Sequence, residues 1–170
     1  MSILRDIAAT YRRPGAVLRR HLRAGEREDR ALATLMAGCV LIFVAQWPRL
    51  SREAFLTGAE LSPLLGSTLM AWVFLAPLLL YGIAAVAHVG ARIAGGRGTF
   101  YTARMALFWS ILASAPMLLL HGMVAGFIGP GPALDLVGLA WLAVFLWFWI
   151  AGMRVAEWPL APAGAATGQE

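Results

Sequence analysis

Apolar positions run through this chain in four long blocks, at residues 31–47, 65–90, 103–129 and 134–155. A helix that crosses a bilayer needs about 20 mostly apolar residues. Backbone amides cannot stay unpaired in hydrocarbon, so each block predicts an α-helix. The alternation of a membrane strand is absent, which excludes a β-barrel. The pattern therefore predicts an all-α, polytopic transmembrane helical bundle of four spans. A fifth span, or a re-entrant piece near Pro63-Leu64-Leu65-Gly66, stays open. The second and third blocks are long for upright helices, and each holds a proline, Pro77 and Pro116. A proline removes one amide donor and crowds the preceding turn, so both helices are expected to kink.

The first 30 residues follow a different rhythm. Ile3, Leu4, Ile7, Ala8 and Tyr11 share one helical face, and Val17, Leu18 and Leu22 resume it beyond Pro14. Arg19, Arg20 and Arg23 point the other way. This predicts an amphipathic interfacial helix whose apolar face lies in the headgroup layer. The chain thus divides into an arginine-rich segment 1–30, a membrane domain 31–155 and a flexible tail 156–170.

Composition strengthens the membrane reading. Of 170 residues, 60% are hydrophobic and 14% charged, against about 45–50% and about 25% in soluble domains. All 14 basic residues are arginine, and eight of them precede residue 31. Arg49 and Arg52 in the segment after the first span are balanced by Glu53 and Glu60, whereas Arg92, Arg97 and Arg104 cluster between the second and third. Arginine beside a span marks the cytoplasmic side, so both termini are expected there. Arg12, Arg13, Arg19, Arg20 and Arg23 are the candidates for contact with anionic headgroups. Without a nucleic-acid motif, the formal charge of +5 does not point to nucleic acid.

Chemistry inside the spans is sparse. Ionisable residues within a membrane are the usual functional candidates, and here they lie near the ends: His88, His121, Asp135, Arg154 and Glu157. His88 and His121 fall at different depths and cannot share a ligand. Ser110 and Ser114 have no neighbouring carboxylate and are expected to bond backbone carbonyls. The lone Cys39 permits no internal disulfide. Glycine-rich Gly95-Gly96-Arg97-Gly98 lacks the lysine of a phosphate loop. No cofactor, metal or catalytic residue is expected, and the chain reads as a non-enzyme. Gly122-x-x-x-Gly126 supplies a small-residue face for helix packing.

Gly95, Gly96, Gly98, Thr99 and Phe100, followed by a helix with Ser110 and Pro116, resemble the loop and third span of the Yip1 family of integral membrane proteins. Arg12-Arg13-Pro14 before the first span and Trp149 to Arg154 at the end of the last are similar to that family too. The resemblance covers about residues 12–155. It implies a helical membrane fold, usually of five spans with a cytoplasmic amino end, and no catalytic residues. With arginine as the sole basic type, it implies a short bacterial member in the inner membrane. The expected role is a scaffold or accessory subunit that packs with other membrane proteins or with itself, in contact with anionic lipid. The alternative is a small-solute transporter or channel using the kinked second and third spans.

Overall fold

The computed structural model describes residues 3–158; of the tail expected from 156, Ala156 and Glu157 instead complete a helix and are buried, and the part from residue 159 on lies outside the described residues. Among the described residues the chain is helical throughout, without strands. Two short helices, α1 (Ile3–Arg12) and α2 (Pro14–Arg23), precede α3 (Glu28–Thr57). Next come α4 (Leu61–Met70), a π-helical turn (Ala71–Leu75) and α5 (Ala76–Ile93), which together form one rod. The last two are α6 (Phe100–Phe127) and α7 (Pro132–Glu157). Four rods are long and apolar enough to cross a membrane: α3, α4 through α5, α6 and α7.

The helix ends follow local chemistry. Glu28 and Asp29 occupy the first turn of α3, where the helix dipole favours acid. That helix does not stop at Trp47. It continues through Pro48 and ends at Gly58, whose φ of 69° is the left-handed conformation that glycine adopts without steric penalty. Most of the connection expected after residue 47 is thus helix, and only three residues, 58–60, turn the chain. Pro77 leaves its mark as the π-turn just before it. Ala76 N–H donates to Ala71 O, five residues back, and the turn includes Val73, the residue whose carbonyl the Pro77 ring would otherwise crowd. Pro116 is carried inside α6 without interrupting it.

The central element is α6. Every residue from Met105 to Ala115 is buried, because α3, α5 and α7 pack around it. Its apolar residues accordingly cover all sides of the helix. By contrast, the α4–α5 rod leaves Phe74, Leu75, Leu78, Leu79 and Val86 exposed. Gly122 and Gly126 sit directly on the α3 backbone at Ala45 and Pro48. Gly38 of α3 in turn receives the Ile111 side chain of α6. At one end of the bundle, here called basal, α3 and α6 begin while α5 and α7 finish. Arg104 to Glu28 (2.5 Å) and His88 to Glu157 (2.7 Å) link these ends. At the far end Arg52 donates to the terminal carbonyls of α6, Gly126 (3.3 Å) and Phe127 (3.5 Å).

The amino-terminal segment departs from the expected single interfacial helix. It is a hairpin of two helices, and their inner faces rest on the bundle rather than pointing away from the protein. Pro14 starts α2 at a position that needs no amide donor. Gly15 lies against Val155, and Leu18 against Gly152 of α7. Thr10 is fully buried and accepts a hydrogen bond from Trp109 Nε1 of α6 at 3.1 Å.

Candidate functional site

Four segments converge at the basal end around one carboxylate. Glu157, in the last turn of α7, is fully buried. A buried carboxylate without partners would be strongly unfavourable. Here Oε1 lies 2.7 Å from His88 Nδ1 of α5, and Oε2 accepts the Gly98 N–H at 3.1 Å. An accepting carboxylate oxygen places the hydrogen on His88 Nδ1. The second bond brings the carboxylate to the start of α6, where the positive end of the helix dipole favours an anion. Backbone bonds extend the junction: Arg97 N–H donates to Glu157 O at 2.7 Å, and Thr102 Oγ1 to Ala156 O at 3.3 Å.

Backbone carbonyls and this carboxylate together exclude side chains from the glycine-rich loop: a Cβ would fall 2.4 Å from Ala156 O at Gly98 and 2.8 Å from Ala91 O at Gly96. A Cβ on Gly98 would fall 2.8 Å from Glu157 Oε2 and one on Gly96 2.9 Å from it, closer than side chains approach. Gly95 turns the chain at φ 85°. Thr99 then caps α6: its hydroxyl accepts from Thr102 N–H at 3.3 Å, while Thr102 Oγ1 accepts from Thr99 N–H at 2.9 Å. Phe100 lies against the His88 ring, with centroids 4.3 Å apart. Glu26, from the link between α2 and α3, holds Thr99 (3.0 Å), and Glu28, at the start of α3, holds Arg104 (2.5 Å). Beside the junction, His88, Val89, Arg92, Ile93, Thr99 and Phe100 line a shallow groove of about 590 Å³.

A second polar cluster secures the hairpin. Asp6, nearly buried, forms an ion pair with Arg20 and lies 3.5 Å from His21 Nε2. The His21 ring rests on Trp109, with centroids 4.5 Å apart. His21 is thereby partly covered. Burial pushes its pKa below the ordinary value; the Asp6 carboxylate opposes that shift without cancelling it.

The residues expected to matter separate into distinct places. Arg12, Arg13 and Arg20 border a groove between α1 and α2, whereas Arg19 and Arg23 are exposed on α2 and do not line it. Gly95, Gly96, Gly98 and Phe100 belong to the basal junction. Ser110 donates to Ala106 O (2.7 Å) and Ser114 to Ile111 O (3.0 Å). His121 lies near Gly138 at the far end, remote from His88. Asp6, Thr10 and Arg5 are the participants that residue patterns alone did not single out, and Glu157 was noted at a span end without its partner His88. One signal was available: Glu157 is an acid at the margin of an apolar block, and His88 is the one imidazole at the corresponding end of another.

Among the described residues no group of three or more histidine, cysteine, aspartate or glutamate side chains could hold a metal ion. Comparison with family models, curated proteins and solved structures finds no match to this chain.

Proposed function

We propose that this chain is a non-enzymatic membrane protein of the Yip1 type, acting as a scaffold or accessory subunit. In this reading it sits in a bacterial inner membrane with the basal end, and therefore both termini, in the cytoplasm. The arginine count supports that orientation: eight arginines precede residue 31, and Arg92, Arg97 and Arg104 lie at the same end. The family reading gains physical sense from the loop. Gly96 and Gly98 admit the Glu157 carboxylate, Thr99 caps α6, and Phe100 covers His88. Its residues thus have positional roles, as a structural motif requires.

The observation that carries the proposal is where polarity and burial fall. Among the described residues the buried acidic and histidine side chains, Asp6, His88 and Glu157, all belong to the hairpin or the basal junction. Along α6 the space between the rods is filled by Leu107, Phe108, Ile111, Leu112 and Phe148. Tyr81 of α5 packs edge-on against Phe108 at 5.1 Å, on the route that a solute path between the second and third spans would take. Meanwhile the α4–α5 rod gives little of its surface to its own chain. That apolar flank is available to lipid or to another membrane protein.

The test is extraction of the tagged full-length protein in a mild detergent, followed by mass determination of the intact particle. A defined stoichiometric assembly supports the scaffold reading. A monodisperse monomer, or solute flux in reconstituted vesicles that is lost on changing Pro77 or Pro116, would favour the transporter instead.

A further inference from the structure

The hairpin carries a pattern that its docking on the bundle turns outward. Along α1 and α2 the same arrangement occurs twice: Arg5, Ala8, Ala9, Arg12, then Arg13, Ala16, Val17, Arg20. In each set the residues are spaced by three, one and three; the first set shares one face of α1, and Ala16, Val17 and Arg20 share one face of α2, with Arg13 just before its start. These eight residues line a single groove of about 730 Å³ between the two helices. Its floor is alanine and valine, short enough to leave the rim to four guanidinium groups.

The rim divides into two pairs. Arg12 and Arg13 stand at the elbow where Pro14 reverses the chain. At the open end, Arg5 neighbours the Asp6 that pairs with Arg20. The two arginines of α1 are seven residues apart, about 10 Å along the helix. A single phosphate cannot reach both ends. Arg5, Arg12 and Arg13 have no acidic partner among the described residues, so the groove keeps a strong positive charge. Guanidinium forks match phosphate oxygens in bidentate geometry. At the open end Ile3 and Leu4 are 60% and 76% exposed, apolar surface suited to acyl chains rather than to water.

We infer that the α1–α2 groove binds an anionic phospholipid whose headgroup carries two phosphates, one at each arginine pair. The assignment rests on the membrane reading above and names the lipid that the amino-terminal arginines recognise. Basic pockets on the cytoplasmic side are suited to such headgroups. The bound lipid would bridge the two helices and brace the hairpin against α6 and α7, where Thr10 meets Trp109.

The experiment is native mass spectrometry of the full-length protein, equilibrated in mild detergent with cardiolipin or with phosphatidylglycerol at equal total phosphate. Wild type should retain one cardiolipin, and phosphatidylglycerol at least about tenfold less well. The R12Q/R13Q variant should lose cardiolipin at least about tenfold, while R27Q/R97Q, which removes the same charge from outside the groove, should not. Inorganic pyrophosphate should fail to displace the lipid. Equal retention of the two lipids by wild type would overturn the site without reference to any variant. Equal loss in the two variants would reduce it to general charge, and displacement by pyrophosphate would make it a site for a free diphosphate. Recovery of the folded chain from the soluble fraction, before lipid is added, would instead overturn the membrane reading itself.

Discussion

Glu157 reaches across 69 positions of sequence to place its carboxylate 2.7 Å from His88 Nδ1, with both side chains almost wholly shielded from solvent. The same carboxylate holds the Gly98 amide, so one side chain fastens α5, the glycine loop and the start of α6 to the end of α7. Breaking a buried pair by removing one partner leaves the other uncompensated, a loss of about 3–5 kcal/mol. Glu157→Ala should therefore lower the unfolding midpoint in mild detergent sharply, and Glu157→Gln, which can still accept from Gly98, less so. A double-mutant cycle with His88→Ala should give a coupling of at least about 1 kcal/mol. Additive effects would show that the two groups act independently.

The glycines of this chain should differ in tolerance according to their surroundings. Gly98→Ala would place a methyl group 2.4 Å from the Ala156 backbone carbonyl and 2.8 Å from Glu157 Oε2 and Thr102 Oγ1. It should destabilise by about 1–3 kcal/mol, in the range of an overpacked core. Gly82→Ala in α5 meets nothing within 4 Å and should be neutral or stabilise by up to about 1 kcal/mol through helix propensity. Thermal unfolding of both variants in the same detergent checks the contrast.

Gly122 and Gly126 face α3 of the same chain, so enlarging them should separate α3 from α6 rather than dissociate an assembly. Gly122→Leu is expected to lower stability or expression without first shifting the mass of the extracted particle. Sedimentation of the surviving folded fraction measures this. A clean change from assembly to monomer, with unfolding unchanged, would place that face at an interface between chains.

The docking of the hairpin should depend on pH through His21. Its pKa is lowered by burial beside Trp109, so the folded form favours the neutral ring. The unfolded or undocked chain, with the ordinary value of about 6.5, then binds more protons at mildly acidic pH. Stability from this group is complete above about pH 6.5 and falls as the pH drops through the lower folded value. Trp109 fluorescence should report the loosening on acidification, and His21→Phe should flatten the response. A wild-type response that rises toward acid would reverse the assigned sign.

Loss of the Trp109 Nε1 bond to Thr10 gives a further check on the same contact. Thr10→Val keeps the shape and leaves the indole donor unpaired in a buried place. The expected loss is about 1–3 kcal/mol, concentrated in hairpin docking. Protease cleavage near the 24–27 link should become faster, while the spans stay protected. Uniform destabilisation of the whole bundle would argue against a separately docking hairpin.

Much of the architecture was written locally. Apolar blocks of the right length set four rods, whereas the division of the amino-terminal segment at Pro14 and the Thr99–Thr102 cap of α6 emerged only with the structure. Where local signals competed, the outcome needed the fold: Pro48 promised an end to the first span, yet α3 runs through it to Gly58 because its later turns pack beside α6. Of the candidate site, the glycines were visible as a loop, but not the Glu157 carboxylate and the Ala91 and Ala156 carbonyls that exclude side chains at Gly96 and Gly98. The arginines near the amino end were visible as a cluster, but not as two facing rows that include Arg5 and omit Arg19 and Arg23.

The sequence by itself determined the solvent and the secondary structure of this protein, since about 20 apolar residues in a row can satisfy their backbone in lipid only as a helix. The tertiary structure alone decided which side of each rod faces another. In lipid, a surface turned outward is as apolar as one turned inward, so the usual contrast between a core face and a polar face is missing. That is why the α4–α5 rod is apolar even on the faces that touch no other helix, why Gly122 and Gly126 could have faced a neighbour as readily as α3, and why His88 and Glu157, remote in the chain, met only when the rods were packed.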